Sequence, residues 1–272
     1  MNFKNLNTYK LNYLSAVGVF LLIILITQVA SLPFILLKHF YPLPESALMA
    51  LNFGLGFGSA VIIVSAILGL SFNQLFSFFA KPKHLKYFIW AIIIYLFSLP
   101  ISEYLANLVP TDSPEYLAEL YQEMEEIFTT ILKDPIPAFI SVSILAPLLE
   151  ELIFRGLLLR GLLNARQNPY ISIILTSLLF GLAHGNPWQF LAAGFLGAIL
   201  GFIYWRTQDL WICIFIHFLN NTISLVFVSI LGNDASENIF EPNFILISFS
   251  VICVAVALYL FHQKTEKLLK NR

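Results

Sequence analysis

Residues 136–163 read IPAFISVSILAPLLEELIFRGLLLRGLL, an apolar run that contains two adjacent glutamates, Glu150 and Glu151. Arg155 and Arg160 are the only other charged residues in this run. A run of this length is typical of a helix that crosses a lipid bilayer. Each ionised side chain inside a bilayer costs on the order of a few kcal/mol or more. We therefore expect this helix to keep at least one of the two carboxylates for a function.

The whole chain has the composition of a multi-spanning membrane protein. Of its 272 residues, 58% are hydrophobic and 11% are charged, and the mean hydropathy is +0.81. Soluble domains carry about 25% charged residues, so a soluble core could not absorb this much apolar surface. Eight apolar segments are long enough to cross as helices, near 12–37, 48–70, 86–108, 137–161, 169–185, 188–205, 210–231 and 243–262. We predict one all-α membrane domain over residues 1–272, a polytopic helix bundle with about eight transmembrane helices.

The first of these segments follows the basic residues Lys4 and Lys10. A cleaved signal peptide is the alternative to an uncleaved first span, but the apolar stretch is long for a signal peptide. We therefore interpret it as a transmembrane helix.

Basic residues are distributed unevenly between the two predicted sides of the membrane. Cytoplasmic loops of membrane proteins carry an excess of Lys and Arg. With a cytoplasmic N-terminus and eight crossings, only Lys38 and Lys133 of the fifteen Lys and Arg residues fall outside. Acidic residues of 103–134 and 234–241 fall on the outer side. The pattern predicts that both termini are cytoplasmic.

A further helical segment, from Pro114 to the Asp134-Pro135 pair that ends it, is amphipathic and is expected to lie on the external face. Its apolar residues recur at helical spacing, and Glu119, Glu123, Glu125 and Glu126 occupy the polar face. Ser113 followed by Pro114 predicts an N-cap with proline at the first helical position. We favour packing across the bundle for this helix, over a lid that gates access to a site.

Small residues four positions apart predict close contacts between helices. They occur on two predicted spans: Gly54 and Gly58 on the second, and Ala193, Gly197 and Gly201 on the sixth. We assign these residues to packing and not to a function.

Three predicted spans carry polar groups that lipid cannot satisfy. They are Glu150, Glu151 and Arg155 on the fourth span, His184 after Phe180 on the fifth, and His217 and Asn221 on the seventh. A single intramembrane His or Asn commonly makes an interhelical hydrogen bond worth about 0.6–2 kcal/mol. Two carboxylates, two histidines and an amide are too costly for that purpose, and we predict that they share one site.

The residue types suit a hydrolytic reaction. A carboxylate beside a histidine can take a proton from water and so generate a nucleophile. His217 and Asn221, spaced four apart, lie on one helix face and could donate to an oxyanion. Two histidines and a glutamate could alternatively bind zinc, although no His-Glu-x-x-His motif is present.

The two glutamates are expected to have different roles. Arg155 follows Glu151 by four residues, which is the favourable order for an ion pair on a helix. We therefore interpret Glu151 as the structural partner of Arg155, and Glu150 as the free base. Helix counting also places His184 nearer the external end of its span than Glu150 and His217, so tilted or late-starting helices must bring them together.

The spaced set Glu-Glu-x-x-x-Arg (150–155), Phe-x-x-x-His (180–184) and His-x-x-x-Asn (217–221) resembles the CPBP intramembrane protease family. This is the CAAX-protease and bacteriocin-processing group, also called the Abi family, which includes the type II CAAX prenyl endopeptidases. All three motifs occur in order on predicted spans, and the resemblance covers about residues 137–225. We treat this region as the catalytic core.

The resemblance implies an eight-helix membrane fold and hydrolysis of a peptide bond within the membrane. It implies that Glu150 and His184 activate water, while His217 and Asn221 stabilise the oxyanion. Family members have been described both as metalloproteases and as metal-independent glutamate proteases. We favour the metal-independent chemistry, with zinc or another divalent metal on Glu150, His184 and His217 as the alternative.

The expected partners are a peptide or membrane-protein substrate and the lipid bilayer, with no nucleic acid. The expected location is a bacterial cell (inner) membrane.

Two other functions use the same features: a non-catalytic membrane immunity or binding protein of the same fold, and a proton-coupled transporter. The complete motif set argues against the first. The lack of an internal repeat argues against the second.

Overall fold

The computed structural model describes residues 8–40, 45–80, 82, 85–231 and 243–270, and all regular structure within them is helical. The ten helices of this part of the chain are α1 (Tyr13–Phe40), α2 (Glu45–Ile67), α3 (Phe72–Ser77), α4 (Lys86–Ala106), α5 (Glu115–Leu132), α6 (Pro135–Asn164), α7 (Pro169–Leu182), α8 (Pro187–Thr207), α9 (Leu210–Leu231) and α10 (Phe244–Lys270). The predicted all-α class is confirmed. The short helix α3 was not predicted.

Eight apolar helices occupy the eight predicted segments, and six of them are long and apolar enough to cross a membrane. The chain is therefore a polytopic membrane protein. The expectation that the fifth segment reaches residue 185 as a full span is wrong, because α7 has only 14 residues. At a rise of 1.5 Å per residue it is about 21 Å long, against about 30 Å for the hydrocarbon core.

The ends of the helices alternate between two sides, as successive crossings require. On one side the Tyr87 hydroxyl, at the start of α4, donates to the carbonyl of Lys264, near the end of α10, at 3.1 Å. On the other side the Trp188 indole, at the start of α8, donates to the carbonyl of Val109, just after α4, at 3.2 Å. Two hydrogen bonds thus connect the two ends of α4 to different helices, one on each side of the bundle.

Helix α6 is continuous but is not wound uniformly. Residues Phe139–Leu145 and Leu152–Leu159 form π-helical segments, and Ala146–Glu151 between them is α-helical. In a π-helix each N–H donates to the carbonyl five residues back, so the turn is wider than in an α-helix. Pro147 has no N–H to donate and lies where the first π-segment ends. The two glutamates therefore lie on one and a half α-turns between two wide segments.

Helices α7 and α8 form a tight hairpin in which glycines replace side chains at the contact. A Cβ atom on Gly197 would lie 3.2 Å from the Phe180 ring and from Ser177 Cα, and one on Gly201 would lie 3.2 Å from Ile173. The predicted close contact along α8 is confirmed. The same prediction for Gly58 on α2 is wrong, because a Cβ atom there would meet nothing within 4 Å.

The amphipathic segment is helix α5, which begins one residue after the predicted start and ends at Leu132, just before Asp134 and Pro135. Ile131 is buried, and the Tyr121 ring lies 5.0 Å from the Trp188 ring at the start of α8. The helix also contacts α2 and the start of α6, so it packs against the bundle. Its predicted N-cap is wrong, because Pro114 itself is the extended residue before the helix and Glu115 is the first helical residue.

Candidate functional site

Helix α6 places the Glu151 carboxylate in the interior of the bundle. Glu151 is 0% exposed, and its Oε1 atom accepts a hydrogen bond from Arg155 Nη1 at 2.7 Å. The ion pair expected from the spacing of the two residues is therefore present. A buried charge is tolerated when it is paired.

Arg155 joins three helices through its guanidinium. Besides Glu151, its Nη2 atom donates to the carbonyl of Gly197 on α8 at 3.1 Å. Its Cζ atom lies 4.8 Å from the centre of the Phe180 ring on α7, a cation–π distance. Because Arg155 is 2% exposed, these contacts hold α6 against the α7–α8 hairpin with little competition from water.

His217 on α9 lies between the two glutamates. Its Nδ1 atom is 2.9 Å from Glu151 Oε1, and its Nε2 atom is 3.8 Å from Glu150 Oε2. The first distance is a hydrogen bond, and the second is too long for one. Since the carboxylate is the acceptor, Nδ1 carries a proton and Nε2 is directed toward Glu150.

Glu150 is less constrained than Glu151. Its side chain is 13% exposed, and its Oε2 atom is buried without a hydrogen-bond partner in the described part of the protein. Glu150 thus offers a carboxylate oxygen without a hydrogen-bond partner next to a histidine, while the Oε1 atom of Glu151 accepts from two donors.

The Phe180 ring brings His184 to the same site. Its centre lies 5.1 Å from that of the His184 ring and 5.6 Å from that of the His217 ring, both edge-on. His184 follows the end of α7, and the two ring contacts place it beside His217. The two histidines that helix counting placed at different depths therefore contact one ring.

The His184 Nδ1 atom is 2.9 Å from the carbonyl of Phe180. A carbonyl only accepts, so Nδ1 carries the proton and Nε2 presents a lone pair. Within the described residues, no hydrogen bond or ion pair joins His184 directly to Glu150. The structure therefore brings these two predicted water-activating groups into one region without direct contact.

Asn221, one turn after His217, is held in a fixed orientation. Its Nδ2 atom donates to the carbonyl of Val142, in the first π-segment of α6, at 2.8 Å. Its Oδ1 atom accepts from Asn220 Nδ2 at 3.2 Å. Tyr95 on α4 in turn contacts Asn220 Oδ1 at 3.5 Å. With Oδ1 accepting, the amide directs its nitrogen toward α6 and keeps a second N–H to donate.

Three contributors to the site were not found from the sequence. Asn220 was overlooked although it adjoins Asn221. The carbonyls of Val142 and Gly197 leave no signal in a side-chain motif, apart from the small-residue spacing that includes Gly197.

The metal candidates Glu150, His184 and His217 do not form a metal-binding cluster: among the described residues, no three His, Cys, Asp or Glu side chains converge to hold an ion.

Comparison with known proteins identifies the segment that carries these groups. Residues 132–223 match the family model described as type II CAAX prenyl endopeptidase Rce1-like. The resemblance to the CPBP family is confirmed for this segment. It contains all seven residues of the three motifs and therefore the whole candidate site.

Two bacterial proteins are similar to part of the chain. The Membrane-embedded CAAX protease MroQ of Staphylococcus aureus (strain USA300) is 37% identical over 123 residues, which are 42% of this chain and 49% of that protein. YdiL of Bacillus subtilis (strain 168), named as a proposed membrane peptidase, is 30% identical over 122 residues, which are 45% of this chain and 48% of that protein. The chain thus matches about half the length of these curated relatives. No solved structure matches it.

Proposed function

We propose that this protein is an intramembrane endopeptidase that hydrolyses a peptide bond of a membrane-associated protein or peptide. The observation that carries the proposal is the position of His217, between a committed Glu151 and an uncommitted Glu150. This arrangement lies within the segment that matches the CAAX endopeptidase model. Relatives named as membrane proteases support the same class of reaction.

In the proposed reaction Glu150 is the general base. A water molecule held by the free Glu150 carboxylate oxygen and by His184 Nε2 gives up a proton to Glu150 as its oxygen attacks the peptide carbonyl carbon. The tetrahedral intermediate then collapses, the C–N bond breaks, and Glu150 returns the proton to the leaving amine. The products are a new carboxyl end and a new amino end.

His217 and Asn221 are the proposed donors to the oxyanion. For His217 Nε2 to donate while Nδ1 donates to Glu151, both ring nitrogens must carry protons. Donors fixed by such contacts stabilise developing negative charge without having to reorganise.

The substrate class is tested directly with purified protein in liposomes. Fluorogenic membrane peptides with and without a prenyl group are compared for wild type and Glu150→Gln. We expect wild type to cleave at least one peptide, and Glu150→Gln to lose about 10²–10⁴-fold in rate, as for loss of a general base. A folded wild type that cleaves neither peptide would favour the immunity or binding function instead.

We also propose a bacterial cell membrane location with both termini in the cytoplasm. The uneven placement of the fifteen Lys and Arg residues supports this orientation. Reporter fusions at residue 272 and in the 107–114 loop should report opposite sides, with the C-terminal reporter active in the cytoplasm.

A further inference from the structure

The segment before α1 is fastened to the end of helix α6, far from it in sequence. The backbone N–H of Leu11 donates to the carbonyl of Gly161 at 2.9 Å, and Asn164 Nδ2 donates to the carbonyl of Tyr9 at 3.1 Å. Tyr9 and Leu11 are 5% and 4% exposed. Residues 8–12, which we name the N-terminal strap, are therefore part of the packed protein.

The Tyr9 side chain reaches into the second π-segment of α6. Its hydroxyl oxygen lies 2.6 Å from the carbonyl oxygen of Gly156 and 3.0 Å from that of Leu157. One hydroxyl proton is thus directed mainly at Gly156 and shared with Leu157. Burial raises the pKa of the Tyr9 phenol well above its usual value, so the group stays a donor at physiological pH.

Glycine makes this approach possible. A Cβ atom on Gly161 would lie 2.7 Å from Leu11 and 2.8 Å from the Tyr9 ring, closer than real Cβ atoms approach. At Gly156 a Cβ atom would lie 3.0 Å from Leu152 and 3.4 Å from the Phe78 ring. Gly161 therefore leaves room for the strap, and Gly156 leaves room for Phe78 on the same turns of α6.

The contact bears on the site because Gly156 directly follows Arg155. Arg155 keeps its place through Glu151 Oε1 at 2.7 Å and through the Gly197 carbonyl at 3.1 Å. Both contacts depend on the winding of α6 from residue 151 onward. At the end of this segment the N–H of Arg160 is shared between the carbonyls of Arg155 and Leu157, and the Leu157 carbonyl is also one of the two that the Tyr9 hydroxyl contacts.

We propose that Tyr9 is a positioning residue for the site: its hydroxyl holds the π-turn after Arg155, so that Arg155 keeps Glu151 against His217. This inference rests on the proposed function for its effect on catalysis. Tyr9 lies outside the segment that matches the family model, residues 132–223. That segment therefore does not include a residue whose side chain contacts its own helix α6.

The test compares Tyr9→Phe with Tyr87→Phe in the full-length protein. Both variants remove a buried hydroxyl that donates to a helix carbonyl, but Tyr87 donates to Lys264 on α10, away from the site. Hydrogen exchange over residues 152–162 and the kcat and KM for a fluorogenic membrane peptide are measured for each. Gly161→Ala, which pushes Leu11 and Tyr9 away from α6, is a second substitution that should weaken the hydrogen bond of the Tyr9 hydroxyl.

We expect Tyr9→Phe and Gly161→Ala to speed exchange over 152–162 and to lower kcat about five-fold or more, with KM unchanged, as for loss of one hydrogen bond. Tyr87→Phe should do neither. A kcat for Tyr9→Phe equal to that for Tyr87→Phe overturns the inference, as does unchanged exchange over 152–162. If exchange changes but wild type cleaves no peptide, the endopeptidase proposal fails while the fastening of α6 by Tyr9 is supported.

Discussion

The Nδ1 atom of His217 lies 2.9 Å from the Oε1 atom of Glu151, 66 positions earlier in the chain. Arg155 donates to the same oxygen at 2.7 Å. A fully buried carboxylate oxygen that receives two donors joins α6 to α9 and fixes one face of the His217 ring. The other ring nitrogen is thereby directed at Glu150, so the two adjacent glutamates lie on opposite sides of one histidine ring, and only Glu151 is hydrogen-bonded to it.

Substitution of the two glutamates should separate stability from activity. Glu151→Gln removes the charge opposite a buried Arg155, and breaking a buried pair in this way costs about 3–5 kcal/mol. Glu150→Gln should keep nearly the wild-type melting temperature, because the nearest charged partner of Glu150 is 3.8 Å away. Thermal unfolding in detergent micelles measures both.

A double variant provides the control for that prediction. Glu151→Leu with Arg155→Met removes both charges, and it should be less destabilised than Glu151→Leu alone because no unpaired charge stays buried. Equal melting temperatures for Glu150→Gln and Glu151→Gln would show that the ion pair does not support the fold.

The amide of Asn221 should matter for the transition state more than for substrate binding. We expect Asn221→Ala to lower kcat about 10²–10³-fold with little change in KM, as for loss of an oxyanion donor. Asn220→Ala should have a smaller effect, about ten-fold, since Asn220 only orients the Asn221 oxygen at 3.2 Å. Steady-state kinetics on the membrane peptide would contradict this if Asn221→Ala raised KM alone.

The sequence could predict the parts of the fold and site that follow from spacing along one helix. Apolar runs located all eight apolar helices, although the last one extends eight residues beyond its predicted end, and the four-residue step from Glu151 to Arg155 predicted their ion pair. The amphipathic pattern located α5 but not its first residue. Each of these features depends only on helical periodicity.

The remaining features depend on contacts that the pattern does not encode. The π-segments of α6 are a matter of backbone hydrogen-bond register, which leaves no periodic signal in so apolar a run. Helix α7 stops at Leu182, three residues before the predicted end, because Gly185 has a φ of 71° and Asn186 caps the next helix. The bond from His217 to Glu151 joins two spans, and only the packed bundle determines which glutamate His217 meets.

The metal dependence of cleavage can be tested directly in the same peptide assay. We expect wild-type cleavage to continue after incubation with a strong chelator, because the proposed reaction uses only Glu150, His184, His217 and Asn221. A matched sample receives the chelator followed by excess zinc. Inhibition by the chelator and recovery with zinc would instead make Glu150, His184 and His217 metal ligands.

The α7–α8 hairpin should be sensitive to one methyl group at the position that supports Phe180. A Cβ atom on Gly181 would lie 2.5 Å from the backbone carbonyl of Phe190, so Gly181→Ala must push the two helices apart. We expect a loss of about 1–3 kcal/mol in the free energy of unfolding, as for an overpacked contact. The kcat should also fall, because Phe180 contacts His184 and His217.

Gly194→Ala is the matched control for that substitution on the facing helix. Its Cβ atom would meet only the carbonyl of Ser177 at 3.6 Å, an ordinary contact, and alanine has the better helix propensity. This variant should unfold at or above the wild-type temperature with unchanged kcat. If the two variants behaved alike, the close approach of α7 to α8 at Gly181 could not be what holds Phe180 between the two histidines.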